Sequence, residues 1–170
     1  MNISLIGMMG SGKTTIGKIL AEKLDYIFTD TDSKIVEQEN CSINEIFGNK
    51  GEDYFRKLET NVLIETLKND NQIVSTGGGI IKKDENINLL KEKSIVFYLE
   101  ADDKTLFERV KNNKERPLLN VENMQEKITI LLNERIQKYK QAHHTISTIN
   151  KTPNEIVNEI IGIINEYSRS

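Results

Sequence analysis

Hydrophobic positions along the chain follow two alternating patterns. Short apolar runs rich in β-branched residues stand at Ile3–Ile6, Ile73–Ser75, Ile95–Leu99 and Thr145–Ile149, with a weaker one at Tyr26–Thr29, each the length of a strand. Between them, longer segments carry apolar residues at helical spacing: Lys13–Leu24, Tyr54–Lys68, Asp103–Asn112, Met124–Gln141 and Pro153–Tyr167. In the last of these Ile156, Ile160, Ile161 and Ile164 recur on one stripe. Strands separated by helices cannot pair as hairpins. The pattern therefore predicts an α/β fold, a three-layer sandwich in which a five-stranded, mainly parallel sheet is covered by helices on both faces through right-handed connections. In such sheets ligands bind beyond the carboxyl ends of the strands.

A length of 170 residues suits one compact domain spanning 1–170. No repeat, low-complexity tract or Pro/Gly-rich linker divides it. Lys and Arg total 23 against 26 Asp and Glu, a formal charge of -3, so no global basic field exists for nucleic acid or an acidic membrane. The few aromatic residues form no platform interleaved with basic ones, which also argues against nucleic-acid binding. Met1–Ile6 lacks a basic leader and runs quickly into glycines, so it reads as a buried first strand rather than a signal peptide or membrane span. Cys41 is the sole cysteine, which excludes an internal disulfide and a cysteine zinc cluster and points to a cytoplasmic protein. His143 and His144 are adjacent, so their side chains diverge; with no third ligand nearby they read as helix-end residues.

Gly7-Met8-Met9-Gly10-Ser11-Gly12-Lys13-Thr14 matches the phosphate-loop pattern in full, between a predicted strand and a predicted helix. Its glycines let backbone N–H groups curl inward as an anion nest at a helix amino terminus. Lys13 is then expected at the β- and γ-phosphates and Thr14 at magnesium. Gly10, Ser11, Gly12, Lys13, Thr14 and Thr15 form the expected nucleotide-binding set, with ATP and Mg2+ as cofactors. No Asp-x-x-Gly switch and no Asn-Lys-x-Asp guanine reader follows, because Asn150-Lys151-Thr152-Pro153 lacks the aspartate. A GTPase is thereby disfavoured.

After the second strand comes Asp30-Thr31-Asp32, two carboxylates at the mouth side of the sheet. Alternate residues of an extended segment point opposite ways, so one can face a metal while the other faces an acceptor hydroxyl. The competing reading makes Asp32 the cap of the next helix. The strand ending at Thr76 carries no aspartate in the usual magnesium-binding place, a vacancy that Asp30 fills. Gly77-Gly78-Gly79 after that strand suggests backbone closely approaching a ligand.

These motifs, together with Gly51-Glu52-Asp53-Tyr54-Phe55-Arg56-Lys57-Leu58-Glu59, Arg116-Pro117-Leu118-Leu119 and Glu134-Arg135 with Tyr139 and Ala142, agree in order and spacing with the shikimate kinases, which the chain resembles over nearly its whole length. The resemblance implies a P-loop NTPase fold and transfer of phosphate from ATP to the 3-hydroxyl of shikimate. It implies Asp30 as a magnesium group, Asp32 as acceptor ligand and base, Arg56 and Arg135 on the substrate carboxylate, and Gly78 and Gly79 beside the substrate. The stretch at about 112–123 resembles a short lid that brings Arg116 onto the phosphates, giving Lys13, Asp32 and Arg116 as the catalytic set. Arg109 and Lys151–Pro153, Pro153 among them, match the family's adenine sandwich. Arg is suited to the carboxylate because its planar fork pairs two oxygens at once. Read alone, Arg56 could equally pair with Glu52 or Glu59. A monomer with no macromolecular partner is expected. A gluconate kinase shares the loop but not the full motif set, and a nucleotide-sensing module would leave Asp32, Arg56 and Arg135 without a common purpose.

Overall fold

The computed structural model describes residues 1–111 and 123–167. Its centre is a sheet of five strands, β1 (Asn2–Ile6), β2 (Ile27–Asp30), β3 (Gln72–Ser75), β4 (Ser94–Glu100) and β5 (His144–Ser147), in the order β2-β3-β1-β4-β5. Every pairing is parallel, with Ile3 of β1 opposite Ile73 on one side and Ile95 on the other.

Helices fill the two faces: α1 (Lys13–Leu24), α2 (Thr31–Glu39), α3 (Ile43–Thr66), α4 (Asp84–Lys93), α5 (Asp103–Val110), α6 (Met124–Tyr139) and α7 (Pro153–Tyr167). Strand alternation sorts the core between them. Ile3, Leu5, Ile73, Ile95, Phe97 and Leu99 point to one face, where Ile16 and Leu20 of α1 and Ile156 and Ile160 of α7 cover them. Ile6, Val74, Val96 and Tyr98 point to the other, against Leu63 of α3, Leu90 of α4 and Leu132 of α6. A third, smaller cluster joins Ile35 of α2 to Ile46, Phe55 and Val62 of α3, apart from both sheet faces.

The neighbours β1 and β3 send their chains to opposite faces, β1 into α1 and β3 through a 3-10 turn at Ile80–Lys82 into α4. Between two such strands the connecting loops part and leave a crevice at the carboxyl edge. The loops Gly7–Gly12 and Thr76–Gly79 flank that crevice.

Several boundaries differ from the pattern in the sequence. The helix expected from Tyr54 starts at Ile43, opened by a reciprocal cap in which Ser42 Oγ accepts from Glu45 N–H and Glu45 accepts from Ser42 N–H. It breaks at Gly51 (φ 81°, ψ 170°), and this interruption hides its first half from a periodicity reading. The polar stretch Asp84–Lys93 is helical because Ile87 and Leu90 supply a narrow buried face. α6 ends at Tyr139 rather than Gln141, so His143 and His144 do not lie at a helix end. His144 opens β5, and His143 Nδ1 accepts the Val96 N–H at 3.0 Å.

Candidate functional site

Two cavities open at the carboxyl edge of the sheet, of about 500 and 560 Å³, both within the size range of small-molecule sites. Thr14, Asp30, Asp32 and Gly78 line both, so the two spaces adjoin along those residues.

The first is bounded by the loop after β1. Gly10 and Gly12 have φ of 80° and 98°, a left-handed backbone that residues with a Cβ rarely adopt. At Gly10 a Cβ would also stand 2.6 Å from Val110 Cγ1, so space and backbone both demand glycine. Lys13 opens α1, and its ammonium donates to the carbonyls of Gly7 (2.8 Å) and Met8 (2.9 Å). That holds a buried cation against the loop. Ser11, Thr14 and Thr15 face the same cavity, and Arg109, Lys151, Pro153 and Ile156 close its far end. Arg109 donates from Nη1 to Gly10 O (3.2 Å) and Thr148 Oγ1 (3.1 Å), and from Nη2 to Thr148 O (3.0 Å). It thereby ties the phosphate loop to the segment after β5.

Asp30 stands where the spaces join, and its two oxygens divide their work. Oδ1 accepts from the backbone N–H of Asp32 (3.1 Å) and Ser33 (3.2 Å), capping α2, while Oδ2 accepts from Thr14 Oγ1 (3.0 Å). The cap of α2 is thus Asp30, not Asp32 as the competing reading had it. Asp32 lies inside the first helical turn, so the two carboxylates are separated by a strand-to-helix transition rather than by alternation along an extended segment. Among the described residues no three His, Cys, Asp or Glu gather as a metal cage. Thr14 Oγ1 with Asp30 Oδ2 is a hydroxyl-carboxylate pair of the kind that holds Mg2+ when phosphates and water complete the shell.

The second cavity brings Asp32, Arg56, Gly78, Gly79 and Arg135 together from four separate segments. Arg56 and Arg135 are 8% and 4% exposed, far below what a surface arginine shows. Arg56 donates from Nε to Glu52 Oε1 (3.2 Å) and from Nη1 to Glu59, and its guanidinium lies 5.1 Å from the Phe55 ring centroid. Both local ion pairs weighed from the sequence form, and they aim the arginine into the cavity rather than away from it. Arg135 donates from Nη1 to Gly78 O at 3.3 Å, and its Nε is buried with no hydrogen-bond partner among the described residues. A buried guanidinium donor left unused marks a place for an anion. Tyr139, one turn on, donates to the same Gly78 carbonyl at 2.5 Å and stacks on Tyr98 at 5.0 Å.

Two of the three glycines make room for the pocket's own charged side chains. A Cβ at Gly77 would stand 2.6 Å from Asp32 Oδ1 and 2.9 Å from Glu59 Oε1, and one at Gly79 would collide with the Arg56 guanidinium. At Gly78 the nearest atoms are 3.5 Å away, an ordinary contact. Glu59, 1% exposed, is a site residue that motif reading did not single out. Burial pushes its carboxyl up to about 7, against the lowering pull of Arg56 and Arg135 and with a further upward push from Asp32. Its sequence signals were its place at the end of the motif Gly51–Glu59 and the spacing of three from Arg56. The apolar wall of Val36, Ile43, Phe47 and Phe55 was likewise missed, because half of it rides on the unread beginning of α3. Arg116 and most of the expected lid lie outside the described residues.

Comparison with known proteins places this geometry in context. A family model described as shikimate kinase matches residues 9–165. The shikimate kinase of Persephonella marina is 46% identical over 163 residues, covering 96% of this chain and 98% of its own. A solved structure of shikimate kinase from Acinetobacter baumannii in complex with shikimate superposes with a TM-score of 0.94 at 38% identity, covering 98% of this chain and 93% of that one. Deoxyadenosine kinase from M. mycoides shares the fold alone, with a TM-score of 0.65 at 18% identity over 98% and 100% of the two chains.

Proposed function

This chain belongs to the shikimate kinase family, and we propose that it phosphorylates the 3-hydroxyl of shikimate from ATP with the residues of the two adjoining cavities. The observation that carries the residue assignment is the convergence of Asp32, Arg56 and Arg135 on one cavity that meets the phosphate-loop cavity along Thr14, Asp30 and Gly78.

In this reading the loop N–H groups and Lys13 hold the triphosphate tail, and Arg109 and Pro153 flank the adenine. Thr14 and Asp30 hold magnesium, which supplies charge neutralisation on the phosphates when bound. Arg56 and Arg135 grip the acceptor carboxylate, which orients the ring and directs one hydroxyl toward the shared wall. The hydroxyl oxygen bonds to the γ-phosphorus as the bond from that phosphorus to the departing ADP oxygen breaks. Asp32 orients the hydroxyl and receives its proton. Lys13 offsets charge as it moves onto the leaving group, joined by Arg116 from the segment 112–122. Cys41 as the sole cysteine supports work in the reducing cytoplasm, and we assign a monomer as the working unit. No helix among the described residues is long and apolar enough to cross a membrane.

Release of ADP from ATP in the presence of shikimate, of gluconate, or of neither tests the assignment. Turnover is expected with shikimate alone. Turnover with gluconate, or none with either acid, would remove the acceptor assignment.

A further inference from the structure

Two stacked tyrosines stand behind the acceptor pocket, and only one of them uses its hydroxyl. Tyr98 of β4 and Tyr139 of α6 are 1% and 0% exposed, with ring centroids 5.0 Å apart and ring planes inclined by 11°. The Tyr98 hydroxyl has no hydrogen-bond partner among the described residues. The Tyr139 hydroxyl donates to the Gly78 carbonyl at 2.5 Å, the short end of the range for an O–H donor. Burial pushes the Tyr139 phenol up to about 12, against the pull of the nearby Arg135, so it remains a donor throughout the neutral range.

The carbonyl it reaches is the one part of the glycine turn that its own neighbours leave untied. Gly77 N–H donates to Thr31 Oγ1 at 3.3 Å, and the Gly77 and Gly79 carbonyls accept from Ile80 N–H and Lys82 N–H at 3.1 and 3.0 Å. The middle carbonyl, that of Gly78, is held among the described residues by α6 alone, through Tyr139 and the longer 3.3 Å contact from Arg135 Nη1. Gly78 also backs onto the phosphate loop, with Gly7 O and Met9 N each 3.5 Å from the position a Cβ would take, and it lines both cavities. A peptide unit is planar, so fixing this carbonyl also fixes the Gly79 N–H beyond it.

We propose that Tyr139 is a positioning residue for phosphoryl transfer: its hydroxyl pins the peptide between Gly78 and Gly79 and so sets the spacing between the bound acceptor and the phosphate loop. This rests on the acceptor assignment and adds to it a residue that lines neither cavity. Arg135 does not serve as the sole tether, since the acceptor carboxylate draws on the same guanidinium. Stacking on Tyr98 fixes the Tyr139 ring, which leaves its hydroxyl little freedom to follow a shifting carbonyl. Loss of that one oxygen releases the wall between the cavities while both sets of ligand-binding groups stay in place. In-line transfer is sensitive to such slack, because a displacement of about 1 Å costs about a hundredfold in rate.

The test compares Tyr139→Phe with Tyr98→Phe in the full chain, each keeping its stacked ring, by steady-state ADP release at a temperature where melting curves show both variants folded. Tyr139→Phe is expected to lower kcat by about ten- to a hundredfold, with the ATP KM within about twofold and the shikimate KM within about threefold of native. Tyr98→Phe removes an idle hydroxyl and is expected to keep kcat within about twofold. A native kcat in Tyr139→Phe, an equal loss in Tyr98→Phe, or a change confined to the shikimate KM would overturn the proposal. Should Tyr139→Phe fail to fold, proton NMR of the native protein decides: the buried Tyr139 hydroxyl should give a slowly exchanging resonance that persists when shikimate is added, and its loss on addition would overturn the proposal. If the native protein released no ADP with shikimate, the acceptor assignment itself would fall, a result distinct from native turnover that Tyr139→Phe leaves intact.

Discussion

The phosphate loop and the acceptor pocket share four wall residues, yet the chain builds them from different material. The loop is one contiguous turn at the end of the central strand β1, and the ligand groups proposed for it are mainly backbone N–H with one buried cation, Lys13. Its support is the sheet, whose two large cores meet on either side of β1. The acceptor pocket is assembled from side chains on α2, α3 and α6 and from the glycine turn after β3. Its support is the small separate cluster of Ile35, Ile46, Phe55 and Val62. Backbone recognition suits a phosphate chain common to many enzymes, whereas side-chain recognition suits an acceptor that distinguishes one enzyme from another.

Substitutions that affect one cavity and spare the other test that division. The largest effect is expected at Lys13→Ala, a loss of at least about a hundredfold in kcat with little change in thermal stability, read by coupled ADP release. Equal activity in that variant would mean the loop is not where charge is neutralised. Arg135→Ala should raise the shikimate KM by about ten- to a hundredfold while leaving the ATP KM within about twofold, since a charged hydrogen bond contributes roughly 1.5–3 kcal/mol. A matching rise in both constants would show that the cavities are not separable. Gly79→Ala, which drives a methyl into the Arg56 guanidinium, should weaken shikimate binding by about tenfold. The smallest change in ligand binding is expected at Gly51→Ala. No atom lies within 4 Å of the added methyl, so only the backbone conformation (φ 81°, ψ 170°), one that residues with a Cβ hardly adopt, is penalised, by about 1–3 kcal/mol in chemical denaturation, with ATP affinity untouched.

The same division explains what the sequence could reveal. The loop was legible residue by residue because its chemistry lies in eight consecutive positions, and the α/β alternation was legible because buried parallel strands are short apolar runs. Arg56 and Arg135 were legible only through resemblance, since nothing within α3 or α6 alone says that their side chains meet. Glu59 stayed hidden because burial of a carboxylate is a tertiary event. The competing reading set the cap of α2 on Asp32 because both aspartates precede an equally plausible helix start. Register decided it: β2 runs through Asp30, opposite Ser75, and leaves that residue with an extended backbone at the helix entrance, its side chain turned onto the first N–H groups of α2.

Asp30 also imposes a limit on how this protein can change. A carboxylate is chemically symmetric, so one oxygen can accept from the amino end of α2 and the other from Thr14 with no conflict. Asparagine has the same outline but only one acceptor. It must either turn its amide hydrogens toward the helix amides, where donor meets donor, or present them to Thr14 and reverse the direction of that contact. A replacement that preserves shape therefore keeps the helix cap only by turning the Thr14 hydroxyl from donor into acceptor.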